Sequence, residues 1–515
     1  MSKSNIPVIF QTDAYKLGHK VQQDAVTDGK LEFLYSNFTN RSSREPGVNH
    51  VVHFGLQAFI QEFILDGFGE FFAADVEDVV AEYQEMLDDV FGPNNIGTEH
   101  IRALHNLGYV PIRFAGLPEG TLVPLRVPSF TVENTHPDFA WLTNYLESVL
   151  SASYWHMATV ATRAWNLRRL INRHTEAAGI PAAAADFMLH DFSFRGQTSP
   201  ASAAASGAGH LLSSLGSDTI PSYRFIRHNY AGDNGMIMGS VPASEHSIMC
   251  LGTQPEFTVN GDRIVDETET YRKLIEAQPD GAIVSIVSDT YSLFDVLDLF
   301  RPEADNGLYA LVTGRAGTVV YRPDSGQPVK IVAGDPDAPE GSRERKGVFE
   351  ILADIFGTET NEKGLQVLNP RVGVIYGDSM NYERIDAICT NLVAKGYAPS
   401  VVYGIGSFNY QYVTRDTFGS AVKATWAQIG GVGTNLLKDP ITDDGTKKSA
   451  TGRLAVRRMM SGELGLIEKA TPEQEAVSEL ATVFEDGEWF RYQSFADVRK
   501  TLWDNTALLE NLGRL

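Results

Sequence analysis

Hydrophobic patterning changes along this chain. In the first part, Val76, Val79, Val80, Tyr83, Met86, Leu87 and Val90 recur at steps of three and four, which predicts an amphipathic helix with a solvated acidic face. Residues 141–178 predict a mostly helical stretch, ended by Gly179-Ile180-Pro181. Short β-type runs (Val110–Ala115, Leu122–Val127, Phe130–Val132) lie between Gly and Pro punctuation. Together they predict a first unit of mixed strands and helices. From about residue 186 onward, short β-branched runs alternate with helical stretches. Phe187–Leu189, Ala282–Val287, Tyr309–Thr313, Thr318–Tyr321, Arg371–Ile375 and Ser400–Tyr403 read as parallel strands with crossover helices. The Gly-, Pro- and charge-rich stretch Val329–Lys346 reads as an exposed inserted loop.

The chemistry gathers where these strands end. Phe187–Leu189 runs into His190-Asp191-Phe192-Ser193-Phe194-Arg195-Gly196, and Ala282–Val287 into Ser288-Asp289-Thr290. Thr318–Tyr321 runs into Arg322-Pro323-Asp324-Ser325-Gly326, Arg371–Ile375 into Gly377-Asp378-Ser379, and Ser400–Tyr403 into Gly404-Ile405-Gly406-Ser407. One such end is ordinary turn chemistry. Five together point to a shared site, because α/β folds bind ligands at the carboxyl ends of their strands. Glycines at 377, 404 and 406 let backbone N–H groups approach an anion. Arg322 offers a planar fork for phosphate. Asp289, Asp324 and Asp378 add carboxylates, a set that suits Mg²⁺ held with substrate phosphates or a positive, oxocarbenium-like centre. His246, in Val241-Pro242-Ala243-Ser244-Glu245-His246-Ser247, falls near a helix start with Ser244 as the candidate cap, and these flanks leave its role open.

Composition narrows the function classes. The 515 residues suggest two or three domains, and 43% apolar content suffices for sizeable cores. The formal charge of −22 argues against a protein that coats nucleic acid or an anionic membrane. Only the local field matters to a small phosphorylated ligand. Two cysteines, Cys250 and Cys389, make no disulfide framework, and no signal-peptide-like or membrane-spanning apolar run is present, so a cytoplasmic protein is expected. Neither a P-loop, a GxSxG elbow, CxxC nor HExxH occurs. Between Glu45 and Ile101 lie twelve acidic residues and no Lys or Arg, whereas Lys447, Lys448, Arg453, Arg457 and Arg458 form a basic cluster, either a solvated face or a phosphate-facing edge.

Over nearly its whole length the chain resembles the nicotinamide phosphoribosyltransferase family. The resemblance is carried in order by Thr12-Asp13-Ala14-Tyr15-Lys16, Phe54-Gly55-Leu56-Gln57, Phe130-Thr131-Val132-Glu133-Asn134-Thr135, His190-Asp191-Phe192 and Val241–Ser247. It continues through Val287-Ser288-Asp289, Arg322–Gly326, Gly377-Asp378, Thr414-Arg415-Asp416 and Lys438-Asp439-Pro440. It implies an α/β fold: an α/β barrel-like type II phosphoribosyltransferase domain (151–429) with a second, smaller mixed α+β sheet domain built from both chain ends (1–150 and 430–515). It also implies a homodimer with active sites shared between subunits. The implied reaction joins nicotinamide to phosphoribosyl pyrophosphate, giving nicotinamide mononucleotide and pyrophosphate, with Mg²⁺ and with ATP as co-substrate through a transient phosphohistidine.

By the same resemblance, His246 is the phosphorylated histidine and Asp289 the carboxylate that orients it. Phe192 and Tyr15 sandwich the pyridine ring, Tyr15 coming from the neighbouring subunit, and Asp218 accepts from the carboxamide. Arg195 lies near the ring and phosphate. Arg322, Asp324, Gly377, Asp378, Gly406, Ser407 and Arg415 surround the phosphoribosyl and pyrophosphate groups, joined by Arg41, Lys423 and Lys438 from the second subunit. Asp289 and Asp324 are the candidate metal carboxylates, directly or through water. This chain departs from the family pattern at Phe194, where Tyr is common, at Ser379, where Gly is common, and at Ser407-Phe408 within a glycine-rich loop. The rival readings are a nicotinate phosphoribosyltransferase and a catalytically silent ligand-binding dimer.

Overall fold

Six strands in the second half of the chain pair exclusively in parallel: Leu189–Asp191 (β1), Gly216–Ser217 (β2), Val284–Val287 (β3), Val319–Arg322 (β4), Val372–Tyr376 (β5) and Val401–Ile405 (β6). Their order is β3-β4-β5-β6-β1-β2. β1 and β3 are buried along their whole length, as expected of short apolar strands covered on both faces. The register aligns their ends: Val287 lies beside Arg322, and Ile405 beside Asp191, which lies beside Ser217. The carboxyl ends of the strands therefore form one rim.

The two edges of this sheet are bridged by an extended segment that immediately precedes His246. Gly239 pairs with Gly216 of β2, and Ala243 pairs with Ser285 of β3. The Ser217 N–H donates to the Gly239 carbonyl (3.1 Å), and the Ser244 N–H to the Ser285 carbonyl (2.9 Å). The barrel-like expectation thus takes the form of a parallel half-barrel whose edges share a short seam.

The computed structural model describes residues 6–93, 95–377, 379–442 and 448–515. It divides into two units, Arg163–Tyr223 with Met236–Tyr412, which carries the parallel sheet, and Met1–Thr162 with Arg224–Gly235 and Val413–Leu515. The latter contains a seven-stranded antiparallel sheet in the order Val432–Asn435, Ser420–Ile429, Leu31–Asn40, Pro128–Asn134, Ile112–Gly116, Ala481–Glu485, Glu488–Trp489. Both chain ends contribute to it, yet it is the larger unit rather than the smaller. The boundaries differ from 150 and 430 for physical reasons. The first half of the helix Leu142–Ala178 buries Leu142, Tyr145, Leu146, Leu150 and Tyr154 in the core of that unit, and Ser420–Ile429 pairs along the whole of Leu31–Asn40.

Three local expectations are corrected. Tyr309–Thr313 lies within a helix, Leu308–Gly314, because Leu308 and Val312, four apart, bury one face. Val329–Lys346 is not a loop throughout: Pro328–Ala333 is helical, with Val332 and Ala333 buried, and the helix Arg343–Phe356 starts at the capping hydroxyl of Ser342. Ser244 does not cap the helix that starts at His246; Glu245 occupies that position. The Ser244 hydroxyl instead accepts from the Val287 N–H (3.0 Å), which ties it to β3.

Candidate active site

The carboxyl rim of the parallel sheet surrounds a cavity of about 740 Å³. Phe192 and Arg195 reach it from the end of β1, and Asp218 and Thr219 from the end of β2. His246 follows the bridging segment, Arg322 ends β4 and Asp324 follows it, Gly377 follows β5, and Gly406 and Ser407 follow β6. A side chain at Gly377 has no room, since a Cβ there would lie 2.2 Å from Asp324 Oδ1. Ser407 packs its hydroxyl end into the space left by Gly196, where a Cβ would lie 2.1 Å from Ser407 Oγ. The serine of the phosphate-loop departure is thus fitted against a glycine that follows the neighbouring strand.

Asp289 does not line the cavity but holds what does. Its side chain is 5% exposed, and its Oδ1 lies 3.1 Å from His246 Nε2. Its Oδ2 accepts from the Asp324 N–H (2.8 Å) and from the Ser325 hydroxyl (2.6 Å). This carboxylate therefore fixes the imidazole orientation and ties the β4 loop to it. With Nε2 donating to Asp289, Nδ1 of His246 is left to act as acceptor or nucleophile. Both Asp289 oxygens thus accept hydrogen bonds, two of them on Oδ2. Asp324 is the carboxylate that lines the cavity. Among the described residues no three His, Cys, Asp or Glu side chains gather as a metal-holding group.

Arg322 is anchored by one end. Its Nη2 donates to the Ser244 carbonyl (2.7 Å), whereas its Nε is buried with no hydrogen-bond partner among the described residues. Thr219 Oγ1 is buried and unpartnered in the same cavity. A buried donor without a partner is costly, and an oxyanion within its reach would satisfy it.

Three contributors escaped sequence reasoning. The His190 ring lies 4.6 Å from the Phe192 ring, centroid to centroid, and its Nε2 lies 2.9 Å from Asp218 Oδ1. Ser240 donates to the same oxygen (2.5 Å). Burial raises the Asp218 pKa, but these bonds and the His190 and Arg322 charges outweigh it and hold the carboxyl below the usual range. Asp218 Oδ2 carries no hydrogen bond among the described residues. His190 sat inside a recognised motif, and only the pairing of β1 with β2 shows what it touches. Ser240 and the third residue, Glu267, carried no sequence signal. Glu267 is 3% exposed, and its Oε1 is buried without a partner among the described residues. Burial, and then the Asp289 charge, push its carboxyl up to about 7.

The other unit holds a basic group. Burial, joined by the charges of Arg41, Lys438 and Arg415, lowers the Lys423 pKa. Tyr15 is exposed in this unit, edge-on to the His19 ring at 5.3 Å. Asp378 and Lys447 lie outside the described residues. In the basic cluster, Arg453 is structural: it bonds Glu133 and Glu475 and lies over the rings of Tyr35 and Trp426.

The chain matches the nicotinate phosphoribosyltransferase (NAPRTase) family over residues 187–488. It is 44% identical over 500 residues to a nicotinamide phosphoribosyltransferase of Acinetobacter baylyi, covering 95% of this chain and 96% of that one. It is 32% identical to a nicotinamide phosphoribosyltransferase of Xanthomonas campestris, covering 96% and 97%. In fold it is similar to the nicotinate-nucleotide pyrophosphorylase of Pyrococcus furiosus, with a TM-score of 0.55 at 15% identity, covering 99% of this chain and 98% of that one. The human nicotinic acid phosphoribosyltransferase gives 0.50 at 17% identity, covering 97% and 94%. A parallel sheet with its chemistry on the carboxyl rim, a match over most of the chain and full-length relatives agree: this protein belongs to the nicotinate phosphoribosyltransferase family.

Proposed function

We propose that the protein is a nicotinamide phosphoribosyltransferase of NAD salvage, making nicotinamide mononucleotide and pyrophosphate from nicotinamide and phosphoribosyl pyrophosphate. The observation that carries the substrate choice is the Phe192–His190–Asp218 arrangement. It sets an ionised carboxylate, with one oxygen unoccupied, beside an aromatic wall. A carboxamide NH₂ donates to that oxygen, whereas the carboxylate of nicotinate meets a like charge.

The reaction forms a bond from the pyridine nitrogen to the ribose anomeric carbon and breaks the bond from that carbon to pyrophosphate. Phe192, with Tyr15 of the neighbouring subunit, holds the ring in line. Arg195 and Arg322 grip the departing pyrophosphate, and Asp324 faces the positive charge that develops on the ribose. Arg415, and Arg41, Lys423 and Lys438 of the second subunit, complete the phosphate contacts in a homodimer. Magnesium, when bound, neutralises charge on the leaving group, with Asp324 the carboxylate suited to meet it. ATP passes its γ-phosphoryl group to Nδ1 of His246 and leaves as ADP, while Asp289 holds Nε2 protonated. The cytoplasm is the expected compartment, supported by unpaired Cys250 and Cys389.

The test is product formation by purified protein given phosphoribosyl pyrophosphate with nicotinamide or nicotinate. Nicotinamide mononucleotide and equimolar pyrophosphate are expected. Equal use of nicotinate supports the nicotinate enzyme, and turnover of neither base supports the silent ligand-binding dimer.

A further inference from the structure

The larger unit contains its own cavity, of about 160 Å³, lined by Arg41, Arg126, Lys423 and Lys448, with Glu468 as a carboxylate on its wall. We infer that Arg126 is a further ligand of the condensed phosphate in this cavity, beside Arg41 and Lys423. The inference deepens the proposed function, since it rests on reading Arg41 and Lys423 as phosphate-facing.

Two independent features single out Arg126. The first is its backbone. The Val127 N–H donates to the Pro124 carbonyl (3.2 Å), closing a four-residue turn in which Arg126 is third, with φ of +71°. That position favours glycine, and an arginine there is strained. Strain in a non-glycine residue is retained where the side chain has work that glycine cannot do. Two strands flank the turn and leave it no freedom: the Arg126 N–H donates to the Asn40 carbonyl (2.7 Å), and the Leu125 N–H to the Asn49 carbonyl (3.0 Å).

The second feature is charge. The Arg126 guanidinium has neither ion pair nor hydrogen bond among the described residues, although the chain as a whole is strongly acidic. Lys448, by contrast, is paired with Asp439 at 2.9 Å. Lys423 is half-buried among cations, and after desolvation the charges of Arg41, Lys438 and Arg415 help depress its proton affinity against the opposing pull of Glu147. Positive charge is therefore crowded at this cavity, and a bound anion would relieve it. A P–O–P group carries enough charge to engage several cations at once, and a planar fork grips its oxygens in pairs. Such a group occurs in pyrophosphate, in phosphoribosyl pyrophosphate and in the tail of ATP.

The test titrates the full-length protein with inorganic pyrophosphate and, separately, with ATP, comparing wild type with Arg126→Gly and Arg126→Lys. Glycine relieves the turn, so Arg126→Gly should keep or raise the Tm while binding pyrophosphate about tenfold or more weakly. Arg126→Lys keeps the charge, loses the fork and should fall between. Loss for pyrophosphate and ATP alike assigns the cavity to the condensed phosphate generally, and loss for only one identifies its source. Wild-type affinity for both ligands in both variants overturns the inference and leaves Arg126 a strained turn residue. The two readings fail separately. Pyrophosphate binding that depends on Arg126 without nucleotide formation sinks the transferase and keeps the site. Nucleotide formation with a phosphoribosyl pyrophosphate KM indifferent to Arg126 does the reverse.

Discussion

Glu267→Gln tests how a buried acid behind Asp289 shapes the stability of the site. The native carboxyl holds its proton up to about pH 7, against 4.5 for an unperturbed glutamate. Below pH 4.5 the group is protonated in the folded and unfolded chains alike, and its full contribution is present. As pH rises from 4.5 to 7 the unfolded chain releases the proton first, so stability falls, and above 7 the loss is complete. At about 1.4 kcal/mol for each tenfold difference in proton affinity, the loss is roughly 3 kcal/mol. The other titratable groups that feel this charge, Tyr271 and Tyr291, are held above the ordinary tyrosine range, chiefly by burial, and stay protonated throughout. Glutamine keeps the shape and cannot ionise. Urea unfolding of both proteins between pH 4.5 and 8.5 should show the variant gaining roughly 3 kcal/mol on wild type by pH 7, with no further gain above it. A difference between the two proteins that does not vary with pH would refute the reasoning.

Asp218→Ala should narrow the preference for nicotinamide over nicotinate, which the like-charge contact sets at roughly 4 kcal/mol for ~4 Å separation in a half-exposed site; equal kcat/KM for the two bases in wild type defeats the argument. His190→Ala should narrow the same preference by releasing Asp218, read as the ratio of the two kcat/KM values. Mixing Phe192→Ala with Tyr15→Ala chains should restore activity through hybrid dimers, and failure despite demonstrated subunit exchange removes Tyr15 from the partner's site. Incubation with γ-labelled ATP should yield acid-labile, base-stable label that is absent in His246→Ala; no such label, together with a nucleotide yield indifferent to ATP, ends the phosphohistidine proposal.

What was legible before the structure depended on the range of the interaction. Strand ends were readable because the punctuation that stops a buried parallel strand is itself the site chemistry: Arg322 is the last residue of its strand, and Gly377 and Gly406 directly follow theirs. Tyr309–Thr313 was misread because a short apolar run with β-branched residues looks alike in a strand and on one face of a helix. Glu267 was invisible, since its character comes from burial beside Asp289, far along the chain. Arg126 carried no signal either, because a positive φ at an arginine belongs to the turn and not to the residue type. Ser379 did carry one. It stands where glycine is common, and its φ is +58°.

The seam made by Gly239 and Ala243 has a consequence for the life of the protein outside catalysis. An open parallel sheet presents two rows of unpaired amides and carbonyls, a template for pairing with other chains. Here one extended segment occupies both rows and then delivers His246 to the rim. The seam is short, so its opening is the cheapest route to exposing those edges. Loss of the histidine's position and exposure of sticky strand edges are then one event, so conditions that silence the enzyme by loosening this segment also start its aggregation.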